Sequence, residues 1–239
     1  MHRPQGVGSN YPGCFAEYVV APVNFVYSAE GIDPDTAVFT EPTACAMHGI
    51  ETLAARPGST ALVFVAGPTG LLVAQLLKRG GIAHVPVAAP TAYKLEAATA
   101  LGIDATVVID RTDSAGNLEA LRAASGRDGY DYVIEATGSV EVAEICVPLT
   151  RNGGTVLIYG VTRADEVVRF HPFDVFRREI TIKGSFAEIT SFAAAIRALR
   201  SGRAKTDGII THRFSLDDYG QALDAVAHDR SAHKVLIVP

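Results

Sequence analysis

The chain has 239 residues, of which 48% are hydrophobic and 20% charged, so it can bury a core in one large domain or two modest ones. Its net charge of −5 comes from interspersed acidic and basic residues, and without a Lys/Arg block neither nucleic acid nor an anionic membrane surface is a good candidate partner. No apolar run reaches the roughly 18 residues needed to cross a bilayer, and the N-terminus lacks the pattern of a secretory signal. A cytoplasmic location is therefore expected. Three cysteines without a CxxC pair exclude a zinc knuckle or a disulfide framework.

The predicted elements begin with an irregular, β-type stretch over residues 1–44, with a short strand at 15–21 and a helix start at Asp33-Pro34. From Thr60 onward, β-branched runs alternate with helical patterns, which predicts βαβ units and a parallel sheet. Strands are expected at residues 60–66, 84–88, 106–109, 132–135, 155–159 and 180–183, with helices at 68–79, 91–101, 118–125 and 140–149. Six strands of this kind suit a Rossmann-type, doubly wound parallel sheet in the α/β class.

After Lys183 the alternation stops, and a helix that ends at Gly202 is followed by a second helix and a closing strand at 234–238. Four apolar residues at helical spacing predict the buried stripe of that second helix: Leu216, Tyr219, Leu223 and Val226. We expect residues 1–44 to be part of a catalytic domain, 45–188 to be a dinucleotide-binding domain, and 189–239 to return to the catalytic domain.

The first strand of the alternation runs into Gly67, Pro68, Thr69 and Gly70 and then into an apolar helix. Backbone amides at such a helix start can face a pyrophosphate, helped by the positive end of the helix dipole. These four residues are therefore candidate cofactor-binding residues. The alternative for this motif taken alone is a compact strand-to-helix turn.

Two positions depart from the full dinucleotide-binding pattern. Val65 stands where the first glycine belongs, so a β-branched residue must make the first tight turn. Ala89 stands where an acid would hold the ribose hydroxyls, which argues against a strict preference for NAD. No Arg accompanies Ala89, and the nearest cation, Lys94, is either a phosphate ligand or a solvated helix residue. The choice between NAD and NADP stays open.

Several segments in the same order resemble the zinc-containing medium-chain alcohol and polyol dehydrogenases, near the sorbitol, arabinitol and threonine dehydrogenase branch. The matching segments are 13–18, 41–49, 66–72, 135–139, 151–154, 173–179, 182–186 and 210–214, so the resemblance covers nearly the whole chain. It implies a Rossmann domain set within a split, mainly β, GroES-like catalytic domain. It also implies an NAD or NADP cofactor, zinc, a small-molecule alcohol or polyol substrate, and a homo-oligomer.

The resemblance places the loops after the fourth and fifth strands against the nicotinamide half, at Thr137, Gly138, Gly160 and Val161, for which ordinary turn-making is the alternative. Of the family's zinc-site positions only the one at Glu41 is matched, because the first cysteine ligand and the Gly-His-Glu motif are not in this sequence. A lone carboxylate cannot make a three-ligand zinc site, and Glu41 can instead complement a helix N-terminus.

A metal-binding trio of Glu41 with Cys45 and His48 on one helix face is less favoured than a core role for the latter two residues.

The resemblance implies an oxidoreductase that moves hydride between a secondary or sugar alcohol and NAD(P), with impaired activity in this chain. Two alternatives stay open: a non-catalytic remnant that binds a nucleotide or a partner, and a zinc-free reductase of the same superfamily. An incomplete catalytic domain also predicts exposed apolar surface around residues 1–44 and 203–239.

Overall fold

The computed structural model describes residues 12–110, 112–126, 128–187 and 190–239. Contacts between residues divide the chain into two compact units. The larger unit is Gly31–Asp207, and the smaller unit combines the described part of Met1–Glu30 with Gly208–Pro239.

The larger unit is built around a parallel sheet whose described strands are β1 (Ala61–Phe64), β2 (Pro86–Ala89), β3 (Ala105–Val108), β4 (Tyr130–Glu135), β5 (Thr150–Ile158) and β6 (Thr181–Gly184). The strand order is β3-β2-β1-β4-β5-β6, and every pairing is parallel. Strands β1, β2 and β4 are buried along their whole length, because helices cover both faces of the sheet. The predicted Rossmann-type α/β fold is confirmed. The strand order reverses between β1 and β4, and such a switch point opens a crevice at the carboxyl edge of the sheet.

The described helices of this unit are α1 (Pro34–Ala37), α2 (Thr40–Leu53), α3 (Pro68–Arg79), α4 (Ala92–Ala100), α5 (Ser114–Ala124), α6 (Val140–Leu149), α7 (Pro172–Arg178) and α8 (Phe192–Arg200). The predicted bounds of α3 and α6 are confirmed to the residue. Helix α5 begins earlier than predicted because the Asp113 carboxylate accepts a hydrogen bond from the Gly116 N–H at 2.8 Å and caps it.

Proline at position 86 is unusual in a strand that lies between two others. Pro86 is the first residue of β2 and pairs with Ala105 of β3. Its missing N–H therefore removes a hydrogen bond only at the start of the strand pairing. The first residue of a strand is a position that tolerates proline.

The smaller unit contains β7 (Ile210–Ser215), α9 (Tyr219–His228) and β8 (Lys234–Val238), and the two strands pair in parallel. The strand predicted at residues 15–21 is wrong: residues 12–30 include a 3-10 turn at Val23–Phe25 and no strand. A strand needs a neighbouring strand for its backbone hydrogen bonds, and none of the described residues supplies one to this segment.

The predicted exposure of apolar surface is confirmed in this unit, where Tyr18 is 90% and Val20 is 97% exposed. The predicted buried stripe of α9 is wrong. Leu223 and Val226 are 54% and 66% exposed, because α9 turns Ala222 toward its own unit and leaves the larger apolar side chains to solvent.

The unit that contains the sheet, Gly31–Asp207, is longer than the dinucleotide-binding domain predicted at residues 45–188. It is longer because α2 packs against both α3 and α8. The assignment of residues 1–44 and 189–239 to a catalytic domain stays a prediction. Among the residues that the structure describes, no helix has both the length and the apolarity to cross a membrane.

Candidate functional site

The turns that follow β1, β2, β4 and β5 all lie at one edge of the sheet, because parallel strands end on the same side. The residues predicted to bind the cofactor lie in these turns, at the end of β2 (Ala89), or in the first turn of the helix that follows, which is α3 for Pro68, Thr69 and Gly70 and α4 for Lys94. The fold thus brings together residues that are up to 94 positions apart in the sequence, from Gly67 to Val161.

The first tight turn is made by Val65, as the sequence predicts, and this residue has a φ of +101°. A non-glycine residue in this region stores backbone strain of about 1–3 kcal/mol. The Val65 N–H donates to the carbonyl of Ala88 at 2.8 Å, so the turn is tied to β2 as well as to β1. A Cβ added at Gly70 would overlap the Val65 carbonyl oxygen and lie 2.6 Å from its Cγ1. Gly70 is therefore required for close packing of helix on strand.

Gly67 has a different role, since a Cβ added there would meet only the Val65 Cγ2 atom, at 3.7 Å. It is the N-cap of α3, and the first turn of this helix carries no acidic residue. The N–H groups of Thr69 and Gly70 belong to that first turn and have no carbonyl partner within the helix. This arrangement presents backbone donors and the positive end of the helix dipole to an anion.

The turn after β2 carries no carboxylate. Ala89 is the last residue of β2 and is 3% exposed, and the first turn of α4 contains no acidic residue. Lys94 lies in that turn with its Nζ atom 5.8 Å from the centre of the Tyr93 ring. This side of the crevice therefore does not repel a phosphate.

Glu135, a residue that the sequence analysis did not select, connects the turns after β4 and β5. Its side chain is fully buried, and its Oε1 atom accepts hydrogen bonds from the Thr137 N–H at 2.6 Å, the Thr137 hydroxyl at 2.5 Å and the Gly138 N–H at 3.0 Å. Its backbone carbonyl accepts from the N–H groups of Tyr159 and Gly160, at 2.9 and 2.8 Å. An acid at the end of a mostly apolar strand, with a Thr-Gly pair beginning two positions later, is the sequence signal that could have identified it.

The same two turns interlock through their glycines. Gly138 has a φ of +74°, and a Cβ on it would overlap the Val161 backbone. A Cβ on Gly160 would lie 2.6 Å from the Glu135 Oε2 atom and 2.9 Å from the Thr137 nitrogen. Val161 itself is 87% exposed, so the outer surface of this pair of turns faces the solvent.

The N–H groups of Thr137 and Gly138 and the Thr137 hydroxyl are used within the turn, and the role predicted for these two residues stays a prediction. Their N–H groups and the Thr137 hydroxyl point into the turn and are bonded to Glu135. A ligand at this edge can use their carbonyl groups and the van der Waals surface of the turn, but not these donors.

Glu41 is the second residue of α2 and accepts a hydrogen bond from the Cys45 thiol at 3.1 Å. It is not the N-cap, which is Phe39, so it complements the helix dipole from inside the first turn. Burial is the main cause that raises the pKa of Tyr159 above its ordinary value, and the charges of the nearby Cys45 and Glu41 raise it further. Among residues 12–110, 112–126, 128–187 and 190–239, no three His, Cys, Asp or Glu side chains are grouped so that they could hold a metal.

The open, doubly wound sheet with a glycine-containing turn at its switch point defines a protein of the dinucleotide-binding α/β class. The sequence profile of the family described as zinc-binding dehydrogenase matches residues 68–201, more than half of the chain. The chain belongs to this family.

Two curated relatives are polyol dehydrogenases. D-arabinitol dehydrogenase 1 from Uromyces fabae is 36% identical over 97% of this chain and 66% of its own length. D-altritol 5-dehydrogenase from Agrobacterium fabrum is 32% identical over 88% of this chain and 61% of its own length. The chain therefore spans about two thirds or less of the length of these relatives.

Two solved structures share the fold. One, from Sinorhizobium meliloti 1021, is described as a zinc-binding dehydrogenase bound to NADP; it is 32% identical, with a TM-score of 0.86 over 96% of this chain and 67% of that one. The other is an alcohol dehydrogenase from E. coli CFT073 complexed with NADH, 25% identical, with a TM-score of 0.89 over 98% of this chain and 68% of that one.

Proposed function

We propose that this chain binds NAD(H) or NADP(H) across the carboxyl edge of its sheet. The observation that carries the proposal is the turn from β1 into α3, where Val65 accepts a φ of +101° and Gly70 lies directly against its carbonyl group. This packing presents the first-turn amides of α3 at the switch point of the sheet, where dinucleotides bind in this class of fold. The relatives from S. meliloti and E. coli, with bound NADP and NADH, support it.

The residues of each turn have separate roles in this proposal. Gly67, Pro68, Thr69 and Gly70 hold the pyrophosphate, and the turn after β2, with Ala89 and Lys94, receives the adenosine ribose and its 2′-substituent. The pair of turns at 137–138 and 160–161 receives the nicotinamide half. The cofactor, when bound, supplies a ring that accepts or donates hydride.

We propose that the whole protein dehydrogenates an alcohol or polyol and that this chain supplies its coenzyme-binding part. The proposed substrate is a secondary or sugar alcohol. Family membership and the arabinitol and altritol dehydrogenase relatives support this assignment. The described residues do not fit a catalytic zinc ion. Such a site needs three protein ligands, and although Glu41 contacts Cys45, no group of three His, Cys, Asp or Glu side chains occurs in the described part of the chain. We assign no zinc-dependent step to this chain and expect it to be poorly active by itself.

A fluorescence titration of the chain with NADPH, and separately with NADH, tests nucleotide binding. The chain has no tryptophan, so the emission of the reduced nicotinamide can be followed without interference from an indole. Saturable binding with a Kd of about 1–100 μM, reversed by excess ADP-ribose, is expected. A chain that shows a cooperative unfolding transition but binds neither nucleotide would contradict the proposal.

The second candidate function is a nucleotide-binding chain without catalysis, which is favoured by the lack of a three-ligand metal group in the described part of the chain. Zinc analysis of the purified chain and an assay of alcohol-dependent NADP⁺ reduction distinguish the two. Stoichiometric zinc together with turnover would reject the second candidate, whereas nucleotide binding without turnover would favour it.

We also propose a homo-oligomer. Strand β6 lies at an edge of the sheet, and its Ile182 is 39% exposed, so the strand can pair with another copy. Sedimentation equilibrium of the chain tests this, and a monomer at all protein concentrations would contradict it. A cytoplasmic location remains a prediction.

A further inference from the structure

Glu135 is a buried carboxylate that makes no ion pair with any residue in the described part of the chain. It is the last residue of β4 and has no exposed surface. Burial of a charged group costs free energy unless hydrogen bonds compensate for the lost water. Oε1 has three donors within 3.0 Å, all from Thr137 and Gly138, whereas no described residue donates to Oε2. The side chain therefore serves the turn that directly follows it.

The backbone of the same residue holds the neighbouring turn. Its carbonyl oxygen accepts from the N–H groups of Tyr159 and Gly160, which follow β5. The unpartnered Oε2 atom faces the position where Gly160 would carry a Cβ. A single residue thus joins the turn after β4 to the turn after β5, and the absence of a side chain at Gly160 lets the two turns come together.

The two turns lie on the β4 side of the switch point, and the turn that would hold the adenosine ribose lies on the β2 side. Glu135 accepts hydrogen bonds from the N–H groups of Thr137 and Gly138. The conformation of the turns is therefore fixed by this buried residue of β4 and does not depend on the ligand. We propose that Glu135 is a positioning residue, which holds the turns at 137–138 and 160–161 as one preformed surface for the nicotinamide half of the dinucleotide. This inference rests on the proposed nucleotide-binding function.

The variant that tests this role is Glu135→Gln, which keeps the shape of the side chain and replaces one acceptor oxygen by a donor. Its matched control is Glu119→Gln, the same change of charge at an exposed position of α5. The probes are NADPH and 2′-phospho-ADP-ribose, a ligand that lacks only the nicotinamide ring. Calorimetry gives both affinities, and the emission of bound NADPH reports the environment of the ring.

For Glu135→Gln we expect NADPH to bind about tenfold more weakly and to lose its enhanced emission, while 2′-phospho-ADP-ribose binds as it does to the wild type. Glutamine can keep its amide oxygen at the Oε1 position, so the three hydrogen bonds from Thr137 and Gly138 lose their charge assistance, and a loss of about tenfold is expected from that change. A structural defect spread over the whole domain would weaken both ligands equally, so it would overturn the proposal. An unchanged NADPH affinity with unchanged emission would also overturn it.

If Glu135→Gln does not fold, the donor side provides the test. Thr137→Ala removes a methyl group and the hydroxyl, which donates to Oε1 and accepts from the Ser139 N–H, whereas Thr137→Ser removes the methyl group and keeps the hydroxyl. We expect the alanine variant to bind NADPH more weakly, with its affinity for 2′-phospho-ADP-ribose unchanged, and the serine variant to bind NADPH as the wild type does. Equal NADPH binding by both variants would overturn the proposal.

The wild type separates this inference from the proposed function. If it binds 2′-phospho-ADP-ribose as tightly as NADPH, so that the nicotinamide ring adds no affinity, this inference fails while nucleotide binding stands. If the wild type binds neither ligand, the proposed function fails as well.

Discussion

The carbonyl group of Val65 occupies the space that a side chain at Gly70 would need, so these two residues together determine how closely α3 approaches β1. A Cβ at Gly67, three positions earlier, would have room, since its nearest neighbour would be the Val65 Cγ2 atom at 3.7 Å. Two glycines of one motif therefore have different physical requirements: packing at Gly70, and room for a ligand at Gly67.

This difference predicts opposite results for two alanine substitutions. Gly70→Ala should lower the free energy of unfolding by about 1–3 kcal/mol, because the added methyl group overlaps the Val65 backbone. Gly67→Ala, at an ordinary φ of −75°, should leave stability unchanged and weaken NADPH binding about tenfold or more, because the methyl group enters the space of the pyrophosphate. Urea denaturation and NADPH titration of both variants measure these effects. The same loss of stability in both would refute the assignment.

The strained conformation of Val65 leads to a second prediction. Val65→Gly relieves strain of about 1–3 kcal/mol and costs about 0.5–1 kcal/mol in backbone entropy, so the unfolding free energy should rise by about 1 kcal/mol. Val63→Gly, the same substitution within β1, should lower it by about 3 kcal/mol, because it removes a fully buried side chain. Urea denaturation distinguishes the two variants. If Val65→Gly were as destabilising as Val63→Gly, the φ of +101° would carry no strain.

A third prediction concerns the choice between NADH and NADPH. Ala89→Asp places a carboxylate at the end of β2, where it can accept from the ribose hydroxyls and repel a 2′-phosphate. The ratio of NADPH affinity to NADH affinity should fall by about tenfold or more. Ala100→Asp, at the exposed far end of α4, adds the same charge away from the ribose and is the control. An unchanged ratio in a folded Ala89→Asp variant would place the adenosine ribose elsewhere.

The buried thiol of Cys146 predicts a loss of stability at alkaline pH. Burial, and to a lesser extent the charge of Glu135, raises the pKa of this thiol well above its ordinary value of 9.0. The unfolded chain therefore releases this proton at a lower pH than the folded chain does. The contribution is complete below pH 9 and is lost as the pH rises further, by about 1.4 kcal/mol at pH 10.

Urea denaturation of the wild type and of Cys146→Ala at pH 8 and pH 10 checks this effect. The variant should lose about 1.4 kcal/mol less than the wild type between the two pH values. Burial also raises the pKa of Tyr130 and of Tyr159 above the ordinary value of 10.0, so all forms of the chain should lose further stability above pH 10. Equal losses in the two proteins at pH 10 would mean that the thiol is not buried.

The sequence alone predicted the strand and helix alternation, the bounds of α3 and α6, and the unusual turn at Val65. These features are local, because β-branched runs, a proline at the first helical position and the spacing of glycines act within a few residues. Local patterns also predicted a strand at 15–21 and a buried face on α9, and both predictions were wrong. An apolar pattern indicates which side chains could be buried. Actual burial needs another element that packs against them, and a strand needs a second strand to pair with.

Only the tertiary structure decided the role of Glu135. Its contacts join turns that follow two different strands. The N–H groups of Tyr159 and Gly160 that its carbonyl binds are determined by the register of β4 against β5, which local sequence does not encode. The same holds for the edge where the turns converge, since their convergence follows from the parallel strand order. The sequence therefore determined which residues make each turn, and the packing of the sheet determined which turns lie together at one edge.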